Sequence, residues 1–287
     1  MIVAIYLYTL INQEKEMANY LIAVDMEGVH GVVGEAYKGL LSDLPEYKKA
    51  VVSATGEVNA AALALFDSGA ENVYLWDNHG GKDNLYMELI DSRVKKVDPP
   101  KEMITRLDFL KDINVKGIIF IGYHSREGSI NGVLAHTYSS VNIQYVKING
   151  KPVGEIDVDS TIASFFGVPA LFVASDDVCV NQAKEYDGRI ETVITKIGTG
   201  RNSAIFHPTE VVLSEIYDGV KKATEFDYKP VKHEFPMEIE VRHTRVESAA
   251  WILEEKKKEL GDRIAFGDDA HILKATVNDL HEFRLVV

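Results

Sequence analysis

Three apolar runs in the chain each end in an acid or a histidine. Leu21-Ile22-Ala23-Val24 leads into Asp25-Met26-Glu27-Gly28, Val73-Tyr74-Leu75-Trp76 into Asp77-Asn78-His79, and Gly117-Ile118-Ile119-Phe120-Ile121 into Gly122-Tyr123-His124. Short continuous apolar runs bounded by turn residues read as buried strands. Between the first two, Val51, Thr55, Val58, Ala62, Leu65 and Phe66 recur at helical spacing over residues 48–68, and Gly69 closes the helix. A strand over 72–76 follows at once, which makes a βαβ unit and therefore a parallel sheet with a right-handed crossover. Residues 101–111 (KEMITRLDFLK), after Pro99-Pro100, predict the next helix, and strand 117–122 completes a second crossover. Residues 28–47 hold Gly28, Gly31, Gly34, Gly39 and Pro45 without a period, which predicts a long loop over the strand ends.

From residue 132 the pattern shortens. Segments 132–138 (GVLAHTY) and 142–148 (NIQYVKI) read as strands, and Asn149-Gly150 joins the second to 151–156 (KPVGEI) as a hairpin. That reading puts Glu155 on a strand, close to the sheet that carries the earlier acids and histidines. A helix over about 158–166 is capped by Gly167 and stopped by Pro169, and strands at 170–174 and 191–197 follow. Beyond about 200 the expected order is helix 208–224, strand 236–243, helix 246–258, strand 263–266 and a last helix from about 270. The fold class is therefore α/β, three-layer α/β/α with a mostly parallel sheet, over residues 17–200. A smaller α+β domain is expected over 201–287.

Composition narrows the function classes. Of 287 residues, 46% are apolar and 26% charged, the balance of an ordinary globular protein, and the formal charge of −13 argues against a nucleic-acid surface. Cys179 is the single cysteine, so no disulfide framework or thiolate zinc knuckle exists, and a buried inert thiol in a reducing cytoplasm is expected. Residues 1–12 are apolar but too few to span a bilayer and lack the basic flank of a signal peptide. With Met17 just ahead of the first strand, residues 1–16 read as a non-native or disordered extension, and no membrane partner is expected.

In open α/β sheets, ligands bind beyond the carboxyl ends of the strands, where Asp25, Glu27, His79 and His124 fall. With Glu155 they make two imidazoles and three carboxylates, a donor set for zinc or a related divalent ion, and enough for two ions if one carboxylate bridges. Asp25, the shorter acid, is the candidate bridge. Singly, a strand-end acid is as readily a helix cap and a lone histidine a satisfied structural residue. His136 is open to two readings, a core imidazole or an acid/base group or oxyanion stabiliser beside the metals. The remaining histidines read as structural, with His30 the least settled among them.

The succession Val24-Asp25-Met26-Glu27-Gly28, Asp77-Asn78-His79, Gly122-Tyr123-His124, Gly132-Val133-Leu134-Ala135-His136, Pro152-Val153-Gly154-Glu155 and Ala174-Ser175-Asp176-Asp177 resembles the DppA-type zinc D-aminopeptidase family of metallopeptidases. The likeness covers most of residues 19–210 and loosely the remainder. It implies a binuclear zinc site with Asp25 as bridge, Glu27 and His79 on one ion, His124 and Glu155 on the other, and His136 as the catalytic histidine. It also implies a two-domain subunit and a ring-like homo-oligomer, a decamer of two stacked pentamers, which would restrict substrates to short peptides. The segment between His124 and His136 is one residue longer than the family pattern. Gly200-Arg201-Asn202-Ser203-Ala204 matches the family only partly, so Arg201 and Asn202 are candidates for substrate contact against the alternative of a loop that closes on the second domain.

The resulting expectation is a two-metal aminopeptidase that cleaves short peptides, D-amino-acid peptides among them, by attack of a metal-bridging hydroxide. Two rivals remain. Hydrophobic-Asp-x-acid-Gly with Phe266-Gly267-Asp268-Asp269 is also similar to haloacid-dehalogenase-type phosphatases, with Asp25 as the phosphorylated nucleophile and magnesium as cofactor. A non-catalytic, metal-containing peptide-binding protein is the other; a closed structural zinc site holds four ligands, and five carboxylate-rich ones fit it poorly.

Overall fold

The computed structural model describes residues 18–34, 40, 45–80, 83–99 and 105–286. The extension 1–16, residues 35–39 and 41–44 of the expected long loop, and the start of the helix expected over 101–111 lie outside the described residues. The described part of that helix consists of turns and one short helix, α2 (Leu110–Ile113).

A seven-stranded sheet draws its strands from residues 18–206 in the order β3-β2-β1-β4-β7-β8-β9. Its strands are β1 (Ala18–Val24), β2 (Ala70–Asp77), β3 (Lys95–Lys96), β4 (Val115–Ile121), β7 (Ala170–Asp176), β8 (Glu191–Gly200) and β9 (Ser203–Phe206). All pairings are parallel except that of β9 with β8. The chain steps from β1 to β2 on one side and then to β4 on the other, so the switch point of the sheet lies at β1. Val24 is level with both Asp77 and Ile121, which makes three strand ends flush.

One face of this sheet is covered by α1 (Pro45–Asp67) and α5 (Thr209–Thr224), whose apolar stripes meet Ile22, Val24, Leu75 and Phe172 in one core. The other face packs on α3 (Glu155–Phe165), α4 (Asp177–Tyr186) and a second, five-stranded sheet. The expected three-layer α/β/α architecture with an accompanying α+β unit is thus present. The second sheet runs in the order β11-β12-β10-β5-β6, from β5 (Ile143–Ile148), β6 (Lys151–Val153), β10 (Met237–His243), β11 (Ile264–Phe266) and β12 (Ile272–Val277), with α6 (Val246–Leu260) and α7 (Leu280–Val286) beside it.

The two sheets draw on interleaved stretches of the chain. Helix α5 lies on the first sheet because Val212, Ile216, Val220 and Ala223 need its apolar face, while the hairpin β5–β6 leaves that sheet to pair with β10. The Asn149-Gly150 turn is as expected, with both residues at positive φ (49° and 78°). Residues 132–138 do not form a strand: Asn131, Leu134 and Tyr138 all adopt positive φ, which no ladder tolerates. The segment is apolar because Val133, Leu134 and Ala135 are packed inside as a coil. The region after 270 begins with β12 rather than the expected helix, since Leu273, Ala275 and Val277 alternate along a strand onto one buried face of the second sheet.

Candidate metal centre

The three flush strand ends bring their side chains to one place. The turn after β1 is pressed against the turn after β4: Asp25 N–H donates to Ile121 O at 2.9 Å and Gly28 N–H to Gly122 O at 2.7 Å. Glycine is required at both contacts. A Cβ on Gly28 would stand 2.0 Å from the Tyr123 carbonyl oxygen, and one on Gly122, whose φ is +71°, 2.2 Å from the Asp25 carbonyl oxygen.

Asp25, Glu27 and His79 form one half of the site. His79 Nδ1 lies 2.8 Å from Asp25 Oδ1 and 3.2 Å from Glu27 Oε2. Asp25 also faces the other half, with Oδ2 3.5 Å from His124 Nε2. His124 Nε2 is 3.2 Å from Glu155 Oε1, and His136 Nε2 is 3.8 Å from the same oxygen. The rings of His124 and His136 stack with centroids 3.8 Å apart. Asp25, Glu27 and His124 offer donor atoms within 4.8 Å of one another, and so do His124, His136 and Glu155. All six residues expected at the site are therefore together.

Glu155 is not on a strand, as the hairpin reading had it, but is the first residue of α3, where the helix dipole favours a carboxylate. Its Oε1 accepts from Tyr138 N–H at 2.9 Å. His136 reaches the site from the coil 122–142, held by its own N–H to Ser125 O (3.2 Å) and by Leu134 N–H to Arg201 O (2.7 Å). Arg201 also donates through its guanidinium to Ala135 O and so shapes this coil. Asn202 lies in the β8–β9 turn and belongs to neither donor group.

The electrostatics call for a cation. Burial disfavours charge on Asp25, yet the His79 hydrogen bond and the His124 and His79 charges hold its carboxyl well below the usual range. Glu155 is lowered against the same burial by its contact with His124. Burial pushes the imidazoles down, but the carboxylates win: Glu27 and Asp25 raise His79 to about 11, and Glu155, Asp25 and Glu27 raise His124 to about 10. Protons on both rings thus balance the acids, and a divalent ion would displace those protons.

The residues fit such an ion. His124 Nδ1 donates to Ser125 O at 3.1 Å, which turns Nε2 toward the carboxylates, where it would give an ion its lone pair once its proton is displaced, and that buried Nε2 has no hydrogen-bond partner among the described residues. His136 Nδ1 is likewise tied to Leu134 O at 2.8 Å, so that its Nε2 faces inward.

Charged neighbours that the sequence pattern did not single out stand behind the site. The Arg106 guanidinium is 3.6 Å from Glu155 Oε2 and 3.4 Å from Asp159 Oδ1, lies over the rings of Trp76 and Tyr138, and donates to Asn78 Oδ1. Tyr123 OH donates to Asp159 Oδ2 at 2.8 Å, and burial raises that acid to about 6. Lys196, on β8, is fully buried behind the other half, and desolvation lowers its ammonium to about 8. Phe266-Gly267-Asp268-Asp269, by contrast, lies at the β11–β12 turn of the second sheet, with Asp269 paired to Arg242 and Asp268 to Lys274. The phosphatase reading thereby loses its second acidic motif.

Known proteins resemble the chain in sequence and in fold. A family model described as D-aminopeptidase matches residues 19–266. A D-aminopeptidase of Bacillus subtilis (strain 168) is 28% identical over 182 residues, which cover 63% of this chain and 65% of that protein, slightly under two thirds of its length. A solved structure, the Zn-dependent D-aminopeptidase DppA from Bacillus subtilis, described as a self-compartmentalizing protease, has the same fold: the TM-score is 0.82 at 21% identity, over 93% of this chain and 94% of that one.

Proposed function

Since the chain belongs to the D-aminopeptidase family, we propose that it is a binuclear zinc aminopeptidase that hydrolyses short peptides, D-amino-acid peptides among them. The observation that carries the reading is the buried His124 Nε2, aimed between the Asp25 and Glu155 carboxylates at 3.5 and 3.2 Å and hydrogen-bonded to neither. Asp25, between His79 and His124, would join the two ions. Glu27 and His79 would complete one, and His124 and Glu155 the other. When bound, the pair supplies Lewis-acid polarisation of the scissile carbonyl and a water acidified into the neutral range.

The chain's own residues supply the rest. His136, with Nδ1 fixed on Leu134 O, has only Nε2 free to hold a proton and hand it to the leaving amine, or to stabilise the tetrahedral anion. Arg201 keeps the coil that carries His136 in place through Ala135 O, and Asn202 beside it is the weaker candidate for substrate contact. The self-compartmentalizing assembly of the DppA relative supports a closed homo-oligomer here, with the ring-like decamer as the form the family resemblance implies. Among the described residues no helix is long and apolar enough to cross a membrane, and the buried Cys179 thiol suits the cytoplasm.

A panel of free and N-blocked dipeptides and tripeptides in both stereochemical series tests the reading. Zinc-dependent release of the first residue only from peptides with a free amine is expected, with preference for the D series. Cleavage of N-blocked peptides, or binding of dipeptides by zinc-loaded protein without hydrolysis, would overturn it.

A further inference from the structure

The loop that carries Glu27 is held from below by a strand that gives no donor to the site. Lys196 stands on β8, two strands beyond β4 in the sheet, and its side chain is wholly buried. Its Nζ lies 2.5 Å from Glu27 O, 2.8 Å from Val29 O and 2.7 Å from Val32 O. An ammonium has three N–H groups, and here each has one carbonyl of the same short loop. Thr195 adds a fourth carbonyl, its Oγ1 donating to Gly28 O at 2.6 Å. From the α1 side, Glu57 Oε1 accepts the His30 N–H at 2.7 Å.

The inward carbonyls of residues 27, 28 and 32 have their side-chain donors from β8, while Val29 O also accepts the Val32 N–H at 3.2 Å; left bare in a dry interior, a carbonyl costs the desolvation of an unmade hydrogen bond. The loop therefore has its shape because a cation sits at its centre. That shape sets where Glu27 points, because the carbonyl that Lys196 holds is Glu27's own and the adjoining Gly28 N–H is pinned to Gly122 O at 2.7 Å. The peptide unit that follows its Cα is thus held at both its carbonyl and its N–H, the one before it is held at Met26 O by the Val29 N–H at 3.3 Å, and the Glu27 carboxylate is directed to His79 Nδ1 at 3.2 Å.

We infer that Lys196 is a positioning residue for the candidate metal centre, a tethered cation that gathers the Glu27, Val29 and Val32 carbonyls and so fixes the Glu27 carboxylate toward one of the two ions. This rests on the binuclear reading above. It adds that the ion served by Glu27 and His79 depends on β8, whereas the ion served by His124 and Glu155 does not.

The test compares wild type, Lys196→Met, Lys196→Gln and Ile216→Ala. Ile216, on α5, is buried in the apolar core against the sheet and takes no part in the carbonyl clamp, and its truncation serves as a control for lowered stability alone. Zinc binding is measured on apoprotein by competition with a chromogenic chelator, zinc content by elemental analysis, and Tm by thermal unfolding. Wild type should hold two ions per chain. Lys196→Met should weaken one of the two about 10- to 100-fold, the range for losing an outer partner of a ligand, and leave the other near its wild-type affinity. Lys196→Gln, which keeps two of the three donors, should fall between, and either variant suffices if the other does not fold. Ile216→Ala should bind both ions normally despite a lower Tm. Two ions of wild-type affinity in a folded Lys196 variant would overturn the inference, as would equal weakening of both ions, or failure of both Lys196 variants to fold. Failure of the functional reading has a different mark, since it appears in the wild-type arm as absent zinc or absent hydrolysis.

Discussion

Asp25, Glu27 and His79 stand just beyond two hydrogen-bonded parallel strands, whereas His124, His136 and Glu155 come from a strand end, a coil with left-handed residues and the first turn of a helix. The two halves meet at Asp25. Behind the first half is a lone ammonium that holds main-chain carbonyls, and behind the second a guanidinium paired with acids and laid over aromatic rings. A sheet edge places donors by register and then needs its loop held in shape. A coil and a helix end place them by side-chain contacts, and those contacts include the charge that supports them.

Substitutions that separate the halves test this contrast. The largest effect is expected at the shared residue: Asp25→Ala should abolish binding of both zinc ions in elemental analysis, a loss well beyond the roughly 10- to 100-fold of an outer partner, and with it hydrolysis. Retention of one ion would show that Asp25 belongs to one half only. His136→Ala should lower turnover by about 10²- to 10⁴-fold while both ions stay bound. Loss of an ion instead would make His136 a donor of the second half, as its place in the His124–His136–Glu155 group permits. Arg106→Gln should weaken zinc in the second half alone, again by roughly 10- to 100-fold, and chelator competition would show whether the first half is spared.

The first half also carries a pH signature in its backing. Burial raises the Glu57 carboxyl from its ordinary 4.5 to about 8, against the pull of the His30 N–H and the Lys196 charge. Between those values the folded chain binds more protons at this site than the unfolded chain, so its contribution to stability is present at pH 4.5 and is lost as pH rises toward 8. Relative to wild type, Glu57→Gln should gain stability across that window in denaturant titrations at fixed zinc; a constant difference between the two would break the assignment. The smallest effect is expected outside both halves. Gly150→Ala, at φ +78° with open space around it, should cost about 1 kcal/mol in the β5–β6 turn and leave zinc binding unchanged.

This contrast also explains what could be read in the amino-acid pattern. Apolar runs that end in Asp25, His79 and His124 show the first sheet and its donors directly, because a fully buried parallel strand has no other way to write itself. Asn149-Gly150 shows the hairpin, yet not that β5 would pair with β10, some 90 residues on. Val133-Leu134-Ala135 has the composition of a strand, and only the positive φ of Leu134 and Tyr138 makes it a coil. Arg106 lies in a charged segment of the kind that usually faces solvent, and Lys196 in an alternating Thr-Val-Ile-Thr-Lys-Ile run reads as an outward polar position. The burial of Lys196 and the part-burial of Arg106 follow from tertiary neighbours. The available signal for Lys196 was a single cation within a strand that is not at the sheet's edge.

The pairing of β5 with β10 also has a consequence in time. Ile148 is level with Ile239, so the strand that precedes Glu155 by a single turn of chain and short β6 has no inner neighbour until some 90 more residues are made. At roughly 5 to 20 residues per second, the ribosome takes on the order of five to twenty seconds to deliver it. During that interval β1, β2 and β4, joined by β8 once Lys196 is made, can already have set Asp25, Glu27 and His79, while the hairpin leading to Glu155 waits with an open edge, a target for chaperones and for neighbouring nascent chains. The first half of the candidate site can thus be born before its second.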